Sequence, residues 1–527
     1  MSVQIHFHGA AGGVTGSCYA LVTERARIIV DCGMFQGSKS EKELNYRAFP
    51  FVPANVDGVI LTHAHIDHSG LLPKLTKAGF KGPIFATRAT IDLCAVMLPD
   101  SAFIQEAEVE QLNRRNARRG RAEISPIYSV TDATAALTQF RAVDYARWIE
   151  IANGVRARFW NAGHLLGSAS VEVELSEGAN KRCGILFSGD IGPDQKLLQS
   201  NPEAPNGFDY VVCEATYGDT DRQDTSPESR RKLLRTEVQD AVKRGGPLLI
   251  PSFAVERTQE LLVDLVGLME EGQIATVPIF IDSPLATKAS AVFERHSGEI
   301  EGGDALRRSL NAPNVRFTES VEQSRAIGRI TSFHVIIAAS GMCDAGRIRH
   351  HLRDWLWRPE ASVLLVGYQA QGTLGRILQD GSARVRIMGE EVDVQACIRT
   401  LDVYSGHADG PELGNWLQAR MPIRKNIFLV HGEEAALAGM QNRARALVPV
   451  DRTIIPALDD AFELDGESAH AVKGPMRRIE PSPVGRLDWH NDLSKLLLDI
   501  SDTVAQAADE RSRAIVIRRL RKALDPA

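Results

Sequence analysis

The sequence predicts an α/β protein with a core in two parts, an inserted unit built on a parallel sheet, and a helical C-terminal tail. Three observations predict this order: short strand-like runs between turn signals fill about the first 200 residues, longer apolar runs alternate with helix-like segments further on, and short strand-like runs then return. Apolar runs that alternate with helices are typical of a parallel sheet covered on both faces. We expect the core at 1–217 and 396–470, the inserted unit at 218–395, and a linker with a helical tail at 471–527.

The strand-like runs end in polar residues. In the first part, residues 27–31 and 56–62 are predicted strands, helical periodicity follows His68, and a polar helix-forming segment spans about 101 to 145. In the inserted unit, four apolar runs each precede a helix-like segment: 248–252, 277–283, 334–340 and 362–368. Their polar ends lie at the sheet edge where parallel sheets bind ligands.

The bulk composition excludes several classes of protein. Seven cysteines without a Cys-x-x-Cys pair argue against a disulfide framework and a cysteine zinc finger. No apolar stretch approaches the roughly 18 to 20 residues of a membrane span, and the N-terminus lacks the features of a signal peptide. We therefore expect a cytoplasmic protein. The net charge of −6 gives no sign of nucleic-acid binding, but a local basic groove would suffice for that.

The run HAHIDH at residues 63–68 places four metal-ligand side chains within six positions, after a predicted strand. Imidazole and carboxylate are the ligands that zinc accepts where thiolates are absent. His63 and His65 alternate like strand residues and can reach one ion, whereas Asp67 and His68 lie further round the turn and can reach a second. Burial of these groups without a metal would leave their polar atoms unpaired, so the run indicates a dinuclear metal site.

More ligand-type side chains lie at or shortly after the ends of other predicted strands: Asp31, His164, Asp190 and His431. A single residue of this kind is usually incidental. Four of them, in a chain that already holds the run 63–68, indicate the remaining parts of the metal site.

In this order the residues resemble the metallo-β-lactamase superfamily, whose fold is an αββα sandwich. The resemblance implies two zinc ions per chain, the first held by three imidazoles: His63, His65 and His164. It implies that the second is held by Asp67, His68 and a late histidine, and that Asp190 bridges both ions. Asp31 is implied to orient a ligand imidazole, as carboxylates behind metal-bound histidines do.

A long gap separates Asp190 from the late histidine, and the predicted unit 218–395 fills it. An insertion there resembles the β-CASP family of nucleic-acid nucleases, in which a cap domain closes over the metal site. Three further stretches fit that family: EATYG at 214–218, SGHAD at 405–409 and VHG at 430–432. Members that act on RNA carry histidine at the last position and the DNA-repair branch carries valine, so His431 implies an RNA substrate.

Finer features resemble the branch that contains the nuclease subunit of the eukaryotic cleavage and polyadenylation specificity factor, with its prokaryotic relatives. They are GAAGGVTGS at 9–17, DCGMFQG at 31–37, SGMC at 340–343 and GYQAQGTLGR at 367–376. The RNase J exonucleases share the metal motifs but carry a different glycine-rich sequence at the last of these positions. The resemblance covers about residues 5 to 470.

The chemistry expected of such a site is hydrolysis of a phosphodiester. Two zinc ions about 3.5 to 4 Å apart can acidify a bridging water and clamp the attacking and leaving oxygens. The leaving 3′-oxygen needs a proton, and we expect it from His407, which the resemblance implies is held by Glu214. The products would be a 5′-phosphate and a 3′-hydroxyl. The candidate catalytic residues are Asp31, Asp67, Glu214 and His407.

Hydroxyl and guanidinium groups near strand ends of the inserted unit are candidate phosphate ligands: Ser252, Ser283, Ser340, Arg347, Thr373 and Arg376. Hydroxyls and backbone N–H groups at helix N-termini suit phosphate oxygens, and arginine can pair with them bidentately. The hydroxyl residues are equally expected as simple helix N-caps. Both interpretations stay open.

Three functions stay open: a zinc-dependent ribonuclease, a hydrolase of a small ester or thioester, and a non-catalytic RNA-binding scaffold. The inserted unit disfavours the second, and the complete ligand set disfavours the third. Manganese or iron would suit a His/Asp ligand set nearly as well as zinc. RNA is the expected partner and a membrane is not, and cleavage could be internal or 5′-to-3′. The cap or the apolar stripe of the tail could form a homodimer, or the tail could pack on its own core.

Overall fold

A computed structural model describes residues 3–37, 39–177, 181–222, 226–369 and 372–472, with residues 478, 496, 500, 503–504, 507 and 509–524 beyond them. Most of the predicted linker and tail therefore lies outside the described residues, apart from a C-terminal helix at Glu510–Leu524. None of the helices in the described part of the chain combines the length and the apolar composition that a bilayer span requires.

The secondary structure follows the predicted order of core, insertion and core. The strands are β1 (Val3–Gly9), β2 (Cys18–Val22), β3 (Arg27–Val30), β4 (Gly58–Ile60), β5 (Ile84–Thr87), β6 (Phe140–Val143), β7 (Ile149–Ala152), β8 (Val155–Asn161), β9 (Ala169–Glu177), β10 (Lys181–Phe187), β11 (Tyr210–Glu214), β12 (Leu248–Pro251), β13 (Ile279–Ile281), β14 (Val315–Phe317), β15 (Val335–Ala338), β16 (Ser362–Leu365), β17 (Arg384–Ile387), β18 (Glu390–Asp393), β19 (Cys397–Thr400), β20 (Asn426–Val430), β21 (Thr453–Ile454), β22 (Ala461–Leu464) and β23 (Ala469–Ala471). The helices are α1 (Lys39–Leu44), α2 (Ile66–Ser69), α3 (Leu72–Lys77), α4 (Arg88–Arg118), α5 (Val130–Leu137), α6 (Pro227–Arg244), α7 (Arg257–Glu270), α8 (Pro284–Arg295), α9 (Gly303–Leu310), α10 (Val321–Ile327), α11 (Ile348–Trp355), α12 (Leu374–Gln379), α13 (Gly410–Ala419), α14 (Glu434–Ala444) and α15 (Glu510–Leu524).

Two sheets form the core and pack face to face. The first has the strand order β23-β22-β1-β2-β3-β4-β5-β6 and the second the order β21-β20-β11-β10-β9-β8-β7. An apolar layer between them contains side chains of both sheets, among them Phe7, Phe159 and Phe428. Helices α3 to α5 cover the outer face of the first sheet, and α13 and α14 cover that of the second. These four layers form the αββα sandwich that the sequence predicts.

The inserted unit forms a cap with its own sheet. Its strands are all parallel, in the order β14-β13-β15-β12-β16-β19. Helices α6 and α7 cover one face, and α11 and α12 cover the other. The sheet includes β19, which pairs with β16, so the cap extends past the boundary predicted at residue 395. Strand β19 is short, polar and half-exposed, and its sequence therefore lacks the apolar pattern that marks the other cap strands.

Helix α4 begins earlier than the polar helical segment predicted from about residue 101. It starts at Arg88, where the Thr87 side chain accepts a hydrogen bond from the backbone of Thr90. The added turns bury an apolar face that includes Leu93 and Leu98. Sequence periodicity does not identify this part of the helix, because its apolar residues resemble those of a strand followed by a loop.

The topology brings several strand ends to one edge of the core. Strands β10, β11 and β20 are parallel neighbours, and β8 runs in the same direction because β9 lies antiparallel between it and β10. In the facing sheet, β3 and β4 are also parallel. Residues that follow the carboxyl ends of parallel strands meet at one sheet edge. The candidate ligands lie at that edge.

Candidate metal centre

A strand end and a short helix position the run 63–68. The backbone carbonyl of Asp67 accepts a hydrogen bond from Ser17 N at 2.8 Å, and that of His68 accepts one from Cys32 N at 2.7 Å. A Cβ on Gly33 would lie 1.6 Å from the Asp67 carbonyl oxygen, so this close approach requires glycine. The glycine-rich stretches 9–17 and 31–37 therefore act as the backbone support of the metal-binding turn.

The first predicted ligand set lies together in the structure, with donor atoms of His63, His65, His164 and Asp190 all within 4.8 Å of one another. His65 Nδ1 lies 3.2 Å from His63 Nε2 and 3.1 Å from His164 Nε2. Asp190 Oδ2 lies 3.5 Å from His63 Nε2 and 3.7 Å from His164 Nε2. The three imidazoles thus converge with one carboxylate oxygen on a single point.

The second predicted set lies beside the first and contains Asp67, His68, His431 and again Asp190. His68 Nε2 lies 3.3 Å from His431 Nε2 and 3.2 Å from Asp190 Oδ1. His431 Nε2 lies 3.5 Å from Asp67 Oδ2. The two oxygens of Asp190 therefore face different ligand sets.

These residues fit two metal ions. Four ligands at about 2.0 to 2.1 Å from a tetrahedral zinc lie about 3.3 Å from one another. The donor–donor distances of 3.1 to 3.7 Å match that spacing. Asp190 Oδ1 is buried and has no hydrogen-bond partner among the described residues, an expensive arrangement unless a cation balances it. The chain thus contains a divalent-metal-binding site, and its ligand spacing is the one that two ions sharing Asp190 would require.

Buried acceptors hold the outer nitrogens of two candidate ligand imidazoles from the run, His63 and His68. Asp31 Oδ2 lies 2.7 Å from His68 Nδ1, as the family resemblance implies. The Thr62 hydroxyl donates to the same Asp31 oxygen at 2.8 Å and can accept from His63 Nδ1 at 3.1 Å. A proton on each Nδ1 leaves Nε2 free to bind metal. Thr62 was not predicted, although its position directly before the run was the available signal.

The two later histidines are held in the same way. His164 Nδ1 donates to the Gly406 carbonyl at 2.7 Å, and His431 Nδ1 lies 3.0 Å from the Thr216 hydroxyl, which donates to Glu214 at 2.5 Å. Neither Thr216 nor Gly406 was predicted, although both lie inside stretches on which the resemblance rests. The ligand His164 is therefore hydrogen bonded to the residue directly before His407.

The local electrostatics suit metal binding. Burial and neighbouring imidazoles lower the pKa of His63 and of His164 well below the usual value, and burial lowers the pKa of His65 to about 4. Neutral imidazole is the form that metal ions bind. Burial also disfavours a charge on His68, but the carboxylates of Asp190 and Asp31 together outweigh it and raise the pKa of His68 well above its usual value. The imidazoles of the first set therefore favour the neutral form that binds a cation. In the second set, a proton on His68 competes with the cation.

His407 and Glu214 lie together against the shared carboxylate. His407 Nδ1 lies 3.3 Å from Glu214 Oε1, and His407 Nε2 lies 3.9 Å from Asp190 Oδ2. Glu214 is buried, whereas the His407 side chain is 21% exposed. Arg222 donates to the His407 carbonyl at 2.9 Å and lies over the ring of Tyr217, which fixes this loop. The geometry suits an imidazole that exchanges a proton with a substrate.

The candidate phosphate ligands lie in the cap, and all of them have partners within the chain. Ser283 and Thr373 cap helices α8 and α12, while the Ser252 hydroxyl donates to Phe253 O at 3.2 Å and the Ser340 hydroxyl to Ala345 O at 3.3 Å. Their capping and turn roles are therefore present. A role in phosphate binding stays a prediction.

The two candidate arginines differ in exposure. Arg347 donates to the buried carboxylate of Asp282 at 2.7 Å and its side chain is 19% exposed. Arg376 donates to Asp380 at 2.9 Å and is 40% exposed. A phosphate would have to compete with Asp282 for Arg347, whereas the partner of Arg376 among the described residues is Asp380, an exposed i,i+4 pair of little energetic weight. Arg376 is thus the better placed of the two.

Three family models match the chain. Residues 11–89 match the metallo-beta-lactamase superfamily, residues 258–378 match the Beta-Casp domain, and residues 391–455 match the Zn-dependent metallo-hydrolase RNA specificity domain. The first match contains the run 63–68. The third contains His407 and His431.

Proteins with similar sequences carry names that refer to RNA or to transcription. Ribonuclease TTHA0252 of Thermus thermophilus is 36% identical over 437 residues, which is 82% of this chain and 94% of that protein. Transcription termination factor FttA of Methanosarcina mazei is 28% identical over 87% of this chain and 71% of its own length. FttA of Methanocaldococcus jannaschii is also 28% identical, over 88% of this chain and 72% of its own length.

Proposed function

Because the chain belongs to the β-CASP nucleases of the metallo-β-lactamase superfamily, we propose that it is a zinc-dependent ribonuclease that cuts RNA internally to leave a 5′-phosphate and a 3′-hydroxyl. The family and the similarity to a ribonuclease make it a metal-dependent hydrolase that acts on RNA. Zinc, the number of ions, the residue roles and the product ends are the proposal.

The shared carboxylate of Asp190 is the observation that carries this proposal. One oxygen faces the set of three imidazoles and the other faces the set that contains Asp67, while His407 Nε2 lies 3.9 Å from the same carboxylate. Two divalent ions in these sets would supply a Lewis acid for the phosphodiester and would acidify the attacking water. The Beta-Casp cap and the match to an RNA specificity domain favour a phosphodiester over an ester or thioester.

The proton for the leaving 3′-oxygen comes from His407 in this proposal. Glu214 would accept from His407 Nδ1–H and stabilise the imidazolium, so the proton delivered to the leaving oxygen is the one on Nε2. The hydroxyl of Thr216 and the backbone N–H of Ile191 also donate to Glu214, so this carboxylate is held in place. A carboxylate–imidazole pair in such an orientation can deliver a proton to the leaving oxygen as its bond to phosphorus breaks.

Other parts of the proposal concern the partner and the place of action. RNA would enter along the carboxyl edge of the cap sheet, where Arg376 and Thr373 lie. The seven cysteines are free, which fits the cytoplasmic location expected from the sequence. A homodimer through the cap or the tail stays a prediction that light scattering on the full chain would decide.

Cleavage of labelled RNA tests the proposal. A single-stranded RNA with a 5′ label and a separate one with a 3′ label should give internal fragments in zinc, whose downstream 5′ ends lose phosphate to a phosphatase. A chelator should abolish cleavage, zinc should restore it, and His65→Ala should be inactive. Intact RNA in zinc, or cleavage that survives both the chelator and His65→Ala, would rule out the ribonuclease. Release of mononucleotides from the 5′ end would replace the internal mode with the exonucleolytic one.

A further inference from the structure

One cap residue reaches into the core beside a metal ligand. Glu256 directly precedes helix α7, has a left-handed backbone (φ +69°), and does not cap its own helix. Its carboxylate instead accepts from the backbone N–H of Leu166 at 3.1 Å and from Gln199 Nε2 at 3.1 and 3.2 Å. Leu166 lies two residues after His164. The strained turn at Glu256 is therefore held by hydrogen bonds to the loop that carries a ligand.

Lys196 completes this contact from the core side. Its ammonium lies 3.5 Å from Glu256 Oε1 and donates to the backbone carbonyl of His164. The side chains of Lys196 and Glu256 are 3% and 5% exposed, respectively. Lys196 belongs to the loop that follows Asp190, so one ion pair joins the cap to both metal-ligand loops. Buried ion pairs of this kind contribute defined geometry more than net stability.

The next cap residue, Arg257, contacts Gly406, whose backbone carbonyl also holds His164. Arg257 donates to the Val366 carbonyl of the cap at 2.6 Å and packs against Gly406. A Cβ on Gly406 would lie 3.1 Å from His164 Cε1 and 3.5 Å from Arg257 Nη2, so the guanidinium, the glycine and the imidazole are in close contact. The Gly406 carbonyl is the acceptor for His164 Nδ1. The turn at 256–257 thus borders both the backbone and the ring of this ligand.

We propose that Glu256 and Lys196 are positioning residues that couple the seating of the cap to metal affinity in the set His63, His65 and His164. The inference rests on the metal assignment of the proposed function. With the cap seated, the ion pair holds the His164 loop and the imidazole points at the metal position. With the cap displaced, Lys196 and Leu166 lose their acceptor and the imidazole is no longer fixed. Because coupling is reciprocal, metal in this set stabilises the seated cap.

The test measures metal affinity and not cleavage. Metal-free full-length protein is titrated with zinc in competition with a chelating dye, and the two sites are identified with His164→Ala and His431→Ala. Glu256→Gln and Lys196→Met should each weaken the site that His164→Ala removes by about 10- to 100-fold, the usual effect of losing a residue that orients a ligand. The site that His431→Ala removes should keep its affinity.

Two further variants separate positioning from general damage. Asp92→Asn removes the charge from a different contact between core and cap, the 2.9 Å pair with His296 Nε2, and should leave both affinities unchanged. The double variant Lys196→Met/Glu256→Gln carries no unpaired buried charge and should be no weaker in zinc binding than the worse single variant, because the two residues act as one unit. If a single variant unfolds, zinc affinity is measured in the double variant, in which both charges of the pair are removed together.

Unchanged zinc affinity in the folded double variant would overturn the proposal, and so would equal weakening of both sites. Failure of the coupling proposal can be distinguished from failure of the proposed ribonuclease function. A wild-type protein that binds two zinc ions and cuts no RNA would refute the ribonuclease and leave the coupling intact. A wild-type protein that cuts RNA, with variants that bind zinc as tightly as it does, would refute the coupling alone.

Discussion

Replacing Asp190 with alanine is expected to lower kcat/KM for RNA cleavage by at least about 10³-fold, because both metal positions lose a ligand at once. The two oxygens of Asp190 face different ligand sets, so one substitution removes a candidate ligand from each. Zinc stoichiometry, measured by titration of the metal-free protein, should fall together with activity.

Asp194→Ala is the matched control for this variant. It makes the same substitution four positions along the same loop, on an exposed side chain outside both ligand sets. Wild-type activity and zinc content are expected for it. An Asp190→Ala protein that cuts RNA within about tenfold of the wild-type rate would show that the shared carboxylate is dispensable.

The second large effect is expected at His407. His407→Ala should lower kcat for RNA by about 10² to 10⁴-fold, the usual contribution of a positioned general acid. A p-nitrophenyl phosphodiester has a leaving group that needs no proton, so its cleavage should stay close to wild-type. Rates for both substrates, measured side by side in zinc, test the role of the imidazole separately from metal binding.

His350→Ala provides the matched control, since this histidine is exposed in the cap and belongs to none of the ligand groups. It should leave both rates unchanged. Glu214→Gln should follow His407→Ala in direction, because it weakens the acceptor that orients His407 Nδ1. Equal loss of both substrates in His407→Ala would assign His407 to metal binding or folding and would contradict the role of acid.

Much of the fold could be predicted because its elements bury continuous apolar runs. Strands β12 and β15 are buried along their whole length, and their carboxyl ends lie where the polar residues at 252 and 340 were expected to mark them. The elements that differed carry weaker patterns. Strand β19 is half-exposed, and the first turns of α4 are as apolar as a strand, so local periodicity identifies neither.

The candidate metal ligands could be predicted from the sequence for a different reason. Ligand chemistry restricts them to a few residue types, and strand ends restrict where they can lie, so His164 and Asp190 stand out once the run 63–68 is found. The residues that hold these candidate ligands in place are not restricted to a few residue types or to strand ends. Thr216 and Lys196 are common residues whose roles depend on contacts across more than one loop, and only the folded chain brings them to His431 and His164.

The direct test of the dinuclear centre is an anomalous difference map, measured at the zinc edge, from crystals of the zinc-loaded protein. The geometry predicts two peaks per chain, about 3.5 to 4 Å apart, with Asp190 bound to both. One peak should contact His63, His65 and His164, and the other Asp67, His68 and His431. A single peak, or two peaks with Asp190 bound to only one of them, would contradict the account.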